Sequence, residues 1–549
     1  MKKTFLTISL LLLAFLLFVS CGDSTKKVPT DTENAADTEP TEEPEKTDTD
    51  KTDPDETNSE CGNNITETGE ICDGNVKECS EINPDYTGLA ECKTDCTGWY
   101  EITCQSNTDH SDSGNNNQDP NDTDSDTGNY IGGDIPVDTN FIRFTADDNP
   151  NKPAFVTVDD LDENGHPDMI VAQYGPSLSG NYDIYWGTGK LDQWTKETLN
   201  IGGNNGISFP HPVKVADVNG DGIKDIVSPS GFLACLVNCG NIFWLEGTGT
   251  RNQWTKHEIV KNNDHFFFDV SLVDIDGDGV DDILTNASQK KTISLGNGQD
   301  ERLMWFKGSN ETADRFEKTA RVISSGNGGP FPRFVDLNGD GKKDIALAQY
   351  FNSNITTNGS FIWFEQTDNI ENWTKHIIDN ESGESFMLEI IDDLYGDGVR
   401  RAVGVNHVNT TDTPNGPKEG VFIFDIPADP TQPWTKKNIA TDIKSRKSPL
   451  TGPQAAPGLF GYGDITGNGL IDLVVSGDGD SRVFWFEQNP AGIFTQHTLD
   501  GMAEASINSA GSFGQAGGMQ IVDIDGDGKN EIIVTLYEDN KIYIYKYNK

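Results

Sequence analysis

The nonapeptide DIDGDGVDD occupies residues 274–282, and six variants of it recur along the chain. They are DLDENGHPD (160–168), DVNGDGIKD (217–225), DLNGDGKKD (336–344), DLYGDGVRR (393–401), DITGNGLID (464–472) and DIDGDGKNE (523–531). Successive copies start 57, 57, 62, 57, 71 and 59 residues apart. A period of this length that fills a whole domain indicates a propeller, a solenoid or an array.

The residues around each copy follow one order. A short β-like run enters the loop, such as Phe155-Val156-Thr157-Val158, and a second leaves it, such as Asp282-Ile283-Leu284. An aromatic run follows, as in Ile242-Phe243-Trp244-Leu245-Glu246 or Val483-Phe484-Trp485-Phe486-Glu487. A polar-alternating run opened by an aromatic comes last, as in Trp254-Thr255-Lys256 or Trp373-Thr374-Lys375. Four short strands joined by Gly, Asn and Asp make a propeller blade. The seventh unit lacks a fourth strand after Lys541-Ile542-Tyr543-Ile544-Tyr545, while Asn140-Phe141-Ile142-Arg143-Phe144 stands alone before the first. Docking one on the other closes the ring and removes the edge on which strands aggregate. The expected fold is therefore all-β, a seven-bladed propeller over residues 140–549.

Over those residues the chain resembles the FG-GAP/VCBS repeat family and the calcium-bearing blades of integrin α-subunit propellers. The chemistry of the loop points the same way. With each loop numbered 1 to 9, positions 1, 3, 5 and 9 carry side-chain oxygens, and position 7 varies, as suits a backbone carbonyl ligand. Gly at position 6, and usually at 4, permits the turn with φ > 0. Position 2 is always Leu, Val or Ile, a pin into the blade. Ca²⁺ tolerates such a flexible oxygen cage, whereas Mg²⁺ demands octahedral geometry. The bland alternative is that acidic turns merely aid solubility, but solubility does not dictate spacing.

The expected EF-hand-like calcium sites are six. They comprise Asp160, Asp162, Asn164, His166 and Asp168; Asp217, Asn219, Asp221, Ile223 and Asp225; and Asp274, Asp276, Asp278, Val280 and Asp282. The others are Asp336, Asn338, Asp340, Lys342 and Asp344; Asp464, Thr466, Asn468, Leu470 and Asp472; and Asp523, Asp525, Asp527, Lys529 and Glu531. The third and seventh loops are richest in carboxylates, and the sixth should bind more weakly. The fifth has Tyr395 at position 3 and Arg401 at position 9, so a guanidinium is expected to replace the ion and pair with Asp393 or Asp397.

The rest of the chain sets the compartment. Its 549 residues carry 89 acids against 41 basic groups, a formal charge of −48. That excess disfavours nucleic acid and anionic membrane surfaces as partners. Residues 1–20 read as a signal peptide, two lysines followed by an apolar run. Phe18-Val19-Ser20-Cys21 resembles the bacterial lipobox, with Phe18 where Leu is usual, which implies a lipidated Cys21. An ordinary cleaved signal beside an incidental Cys is the alternative. Gly22 rather than Asp after the Cys implies, in the lipoprotein family, export to the outer membrane or cell surface.

Residues 22–60 hold 14 acids and 4 lysines with almost no large apolar residue, so 21–60 is expected to be a disordered tether, as is the linker 105–139. Between them, residues 61–104 are too few to bury much core, and Cys61, Cys72, Cys79, Cys92, Cys96 and Cys104 are expected to staple a small module. Fifteen pairings are open, and a zinc site on Cys92 and Cys96 is the minor alternative. The run around Cys61 and Cys72 resembles small cysteine-rich repeats of bacterial surface proteins. Cys235 and Cys239 read as a local disulfide.

His257, His376 and His497 recur at one strand position, which indicates packing rather than catalysis. Segments at the blade ends away from the loops hold Tyr174, Phe209, His211, His265, Arg333, Tyr350, Phe386, His407 and Tyr537. Tyr174, His211, His265, Arg333, Tyr350 and His407 are the candidates for recognising a protein or carbohydrate; the alternative is that they plug the central channel. There is no HExxH, no G-x-S-x-G, no phosphate loop and no convincing Cys/His nucleophile pair. The expectation is a calcium-binding surface lipoprotein for binding or adhesion. A polysaccharide hydrolase or lyase using the face opposite the loops is the runner-up.

Overall fold

The computed structural model describes residues 137–549 apart from 176–178, 201–206, 232–239, 264, 291–298, 313, 351–358, 411–414, 449–451, 503–515 and 538, together with short strands in 76–106 and at Asp134–Ile135. The strands in 76–106 belong to a separate compact unit, residues 23–134. There Val76–Glu78, Leu89–Cys92 and Trp99–Tyr100 form one small sheet, and Tyr86–Thr87 pairs with Gln105–Ser106. The expectations placed on residues 1–60, on Cys21, on the side chains of the six module cysteines, and on Cys235 and Cys239 lie outside the described residues.

From Phe141 onward the chain builds a seven-bladed β-propeller of four-stranded antiparallel sheets. In blade two the order from the channel outward is Lys214–Ala216, Asp225–Ser230, Gly240–Gly247 and Trp254–Asn263. Blade four repeats it with Arg333–Val335, Asp344–Ala348, Phe361–Gln366 and Trp373–Asp379. Second strands are buried on both faces; Asp225–Ser230 and Asp168–Gln173 are buried throughout. The 71-residue interval before the sixth loop accommodates a small extra hairpin, Arg446–Ser448 with Gly452–Gln454.

Each third strand drives an aromatic into the space between blades. Trp244, Trp363 and Trp485 are buried, and each lies directly opposite a histidine of the fourth strand: His257, His376 and His497. Those imidazoles stack on the indoles at centroid distances of 4.3, 4.3 and 4.6 Å. In blade three Arg321 takes the same place over Trp305, at 4.7 Å. Such stacking adds to the burial of the ring itself.

Ring closure joins the two ends of the propeller. Phe141–Asp147 pairs antiparallel with Lys541–Tyr547 and becomes the outer strand of blade seven. Phe141 meets the edge of Trp485 in blade six at 5.1 Å. Asp500, buried in blade six, accepts from Arg143 Nη1 at 2.9 Å and from the Tyr545 hydroxyl at 2.8 Å. Asp500→Ala leaves a buried hydroxyl and a half-buried guanidinium without their acceptor. It should destabilise the propeller by about 2–3 kcal/mol, read from the midpoint of urea unfolding. An unchanged midpoint would show that this contact adds nothing to closure.

Candidate metal centres

The loop between the first and second strands takes one conformation around the ring, and two of its side chains impose it. The aspartate at position 1 folds the turn. Asp217 Oδ1 accepts the amides of Gly220 and Asp221 at 2.7 and 3.0 Å, and its Oδ2 accepts Gly222 at 2.8 Å. Asp274, Asp464 and Asp523 do the same in their loops. Glycines at positions 4 and 6 have positive φ, as at Gly220 (76°) and Gly222 (85°). A Cβ there would touch nothing, so the requirement is conformational rather than steric. Loop one places Glu163 at position 4, at φ 54°, in the same left-handed region.

Position 9 clamps the blade. Asp225 Oδ2 accepts the amide of Val218, at position 2, at 2.8 Å, while its Oδ1 accepts that of Gly247 on the third strand, also at 2.8 Å. Asp168, Asp282, Asp344 and Asp472 make the same pair of bonds, to Leu161 and Gly187, Ile275 and Gly308, Leu337 and Gln366, and Ile465 and Gln488. Glu531 keeps the bond to Ile524. All six carboxylates are fully buried. Burial pushes Asp168, Asp225, Asp282 and Asp472 up to about 6, only partly offset by the backbone amides.

The carboxylates at position 3 are different. Among the described residues, Asp162, Asp276 and Asp525 at position 3 accept no backbone hydrogen bond, and each faces a cationic group instead. Arg251 Nη2 lies 3.4 Å from Asp162. Lys307 bonds Asp276 and, at 2.5 Å, Asp278. Lys546 lies 2.5, 2.7 and 3.2 Å from Asp525, Asp527 and Glu531. Burial works to lower both ammonium pKa values, but the carboxylate hydrogen bonds overcome it and hold them above the ordinary lysine range. Three loops bring three acidic ligand atoms within 4.8 Å of one another: Asp160, Asp162 and Asp168; Asp274, Asp276 and Asp282; Asp523, Asp525 and Glu531. In the last set Asp525 Oδ1 is buried without a hydrogen bond, and Glu531 Oε1 faces only the Lys546 ammonium, the state of oxygens suited to a hard cation. Position 7 donates its amide to the position-5 side chain, as Ile223 does to Asp221 and Leu470 to Asn468.

Two stretches, residues 160–228 and 464–534, match the family model of the FG-GAP-like repeat, each running from one of these loops into the strands beside it. The chain carries FG-GAP-like repeats. No curated protein sequence matches it. Two of the solved structures to which the chain is similar are the following. One is BBS1N in complex with ARL6DN, 8% identical, covering 74% of this chain and 96% of that one with a TM-score of 0.37. The other is an α-L-arabinanase of Penicillium chrysogenum complexed with arabinobiose, 11% identical, covering 73% and 96% with a TM-score of 0.38.

The loop of blade five departs from the rest. Arg401 grips Asp397 with two bonds of 2.8 and 2.9 Å, bonds Asp425 at 2.9 Å, and stacks on Tyr395 at 3.9 Å. Asp393 is left to the backbone turn, accepting Gly398. The guanidinium hydrogen bonds hold Asp397 down at about 2.

Four of the six residues singled out for recognition gather at the channel end. Tyr174, His211, Tyr350 and His407 join one aromatic cluster through Phe155, Phe209, Phe268 and Phe386, with contacts such as His211–Phe268 at 4.4 Å and Phe386–His407 at 5.1 Å. Burial drives His211 down to about 3, a neutral imidazole within packed rings. Phe209 and Phe331, each before a proline, hold positive φ of 46° and 59°, a strained state that the ring packing sustains. Arg333 is committed to Glu389, with Nε–Oε2 at 2.6 Å. His265 lies elsewhere, in a hollow of about 380 Å³ between blades two and three lined by Phe267, Met304, Phe306 and Val322.

Sequence reasoning treated position 9 only as a ligand and overlooked the residue opposite it on the third strand: Glu246, Lys307, Glu365, Glu487 and Lys546. Its signal was available, since each directly follows the aromatic core of that strand.

Two outcomes follow from the clamp. With folded values near 6 against the ordinary 3.8, the folded chain binds more protons in that window, so these groups make stability fall as pH rises from about 4 to about 6. In chelator the melting temperature should therefore be higher at pH 5 than at pH 7, and a divalent ion, which favours the ionised carboxylates, should flatten or reverse the trend. Asp225→Asn sets an N–H donor against one of two backbone donors. It should cost about 2 kcal/mol in chelator, where ion binding plays no part.

Proposed function

We propose that the chain is a calcium-stabilised binding module of the cell envelope, held by lipid on Cys21 and presenting its propeller to a protein or carbohydrate ligand. One observation carries the ion reading. The position-3 carboxylates take no part in the backbone of the turn, yet they converge with positions 1 and 9. Asp160, Asp162 and Asp168 would hold one ion, and the matching residues of blades two, three, four, six and seven the others. Arg401 supplies the positive charge in blade five.

The binding role rests on the architecture. A closed ring of FG-GAP-like repeats gives a rigid scaffold whose loops and edges are free to vary, and the acidic tether of residues 21–60 would carry it clear of the surface. The histidines with described contacts serve packing: His257, His376 and His497 lie on indoles, and His407 Nδ1 donates to Pro457 O at 2.8 Å while its ring stacks on Phe386.

Calcium should raise the melting temperature of the purified chain, by an amount equivalent to about 1.4 kcal/mol for each site at ten times its Kd. EDTA should remove that gain and excess calcium restore it. A chelator-indifferent melt would refute the ion reading. For the binding reading, a glycan array and a panel of glycan substrates are probed with the same protein: capture without turnover supports it, and turnover would show an enzyme.

A further inference from the structure

One position of the fourth, outer strand carries a long polar side chain in six of the seven blades. The cross-strand pairs Tyr185–Lys196, Leu245–Lys256, Phe364–Lys375, Phe424–Lys436, Phe486–Gln496 and Tyr545–Arg143 mark it. Four of these side chains cross to the preceding blade. Lys196 reaches Asp147 at 2.9 Å, Lys375 reaches Asn327 at 2.6 Å, Lys436 reaches Asp379 at 2.6 Å and Arg143 reaches Asp500 at 2.9 Å. In blades two, five and seven the cation also lies over a ring of its own third strand, Phe243, Phe422 or Tyr543. In blade three the position is Ala320, next to Arg321, the partner of Trp305.

The missing stem leaves a space with a definite chemistry. Ala320 borders the hollow of about 380 Å³ between blades two and three, a size within the range of ligand clefts, about 300–1,000 Å³. Met304 lines it from the place that Phe243, Phe422 and Tyr543 hold in their blades, and with the equally buried Phe267 and Phe306 it makes an apolar floor. Lys261, Arg302 and Lys318 line the same hollow. Among the described residues no acid does, in a chain whose 89 acids outnumber 41 basic groups. Lys261 pairs with Glu258 at 2.9 Å and Lys318 with Asp314 at 2.7 Å, each on its own stretch of chain. Local pairs of this kind at the surface are weak and yield readily to an incoming anion.

We propose that this hollow binds a small amphiphilic carboxylate. Its hydrocarbon body lies on Phe267, Met304 and Phe306, in the space that a lysine or arginine stem fills in other blades, and its carboxylate is held among Lys261, Arg302 and Lys318. Burial of the body supplies the attraction, in proportion to the apolar area removed from water. The three cations supply the selectivity, since a neutral molecule of the same shape gains the floor and not the rim. The site uses none of the loop carboxylates, so it stands apart from the calcium and adhesion readings and neither falls with it.

Octanoate is the probe, with octanol as its neutral counterpart, each titrated into the full chain by calorimetry. Wild type should bind octanoate roughly ten-fold more tightly than octanol. Ala320→Gln, which installs the residue of blade six and fills the space, should lose octanoate binding. Lys261→Gln with Lys318→Gln should weaken octanoate by a similar ten-fold factor and leave octanol unchanged. Circular dichroism and the urea midpoint confirm that each variant is folded. Crystals of the wild type soaked in 8-bromooctanoate need no variant, and an anomalous bromine peak should lie over Met304. No octanoate binding, equal affinity for octanol, an Ala320→Gln isotherm like that of wild type, or bromine only at other sites would each overturn the proposal.

Discussion

A buried carboxylate that accepts two backbone amides is the contact on which each blade is built. Position 9 sits at the start of the second strand, ties back to the turn through the amide of position 2, and ties forward to the end of the third strand. Three segments distant in sequence are thereby fixed by one side chain. The apolar residue at position 2 is buried at the same point, as at Leu394, Ile465 and Ile524, so polar clamp and hydrophobic pin hold the same turn. An ionised group without exposure is costly, and here two charge-assisted bonds offset much of that cost.

The loops also tie neighbouring blades together. Gln366 and Gln488 donate across to Ile275 O and Leu394 O in the preceding blades, and Asn530 and Arg400 reach back to Asp464 O and Asp336 O. Turn geometry in one blade is therefore transmitted to the next. Blade five shows what this demands. Having lost the acid at position 9, it retains its fold through a guanidinium that bridges Asp397 and Asp425 across Tyr395.

The opposite end of the channel is governed by apolar contact. Rings from several blades converge, and the polar groups among them are either neutral, like His211, or paired, like Arg333 with Glu389. Phe209 and Phe331 accept backbone strain to point inward. The two ends of the propeller thus differ in kind, one a ring of acidic loops and the other a packed aromatic cluster.

Much of this is legible in the chain alone, for definite reasons. Repetition of a nine-residue loop at near-constant spacing fixes the number of blades, since each unit must bury its face on the next. The unpaired halves at Phe141 and Tyr545 announce closure, because an open edge is unstable. What stayed hidden was everything set by cross-strand register. Lys307 and Glu246 lie 27 to 31 residues from the loop positions they face, as in Glu246 with Asn219 or Lys307 with Asp276. Only the pairing of strands shows which charge answers which. The role of Asp225 as a clamp likewise depends on where the third strand ends, and the packing of Tyr174 and His211 on the meeting of separate blades. Local pattern determines the turn and its oxygens; the neighbours that neutralise them are chosen by the fold, because electrostatic compensation acts through space and not along the chain.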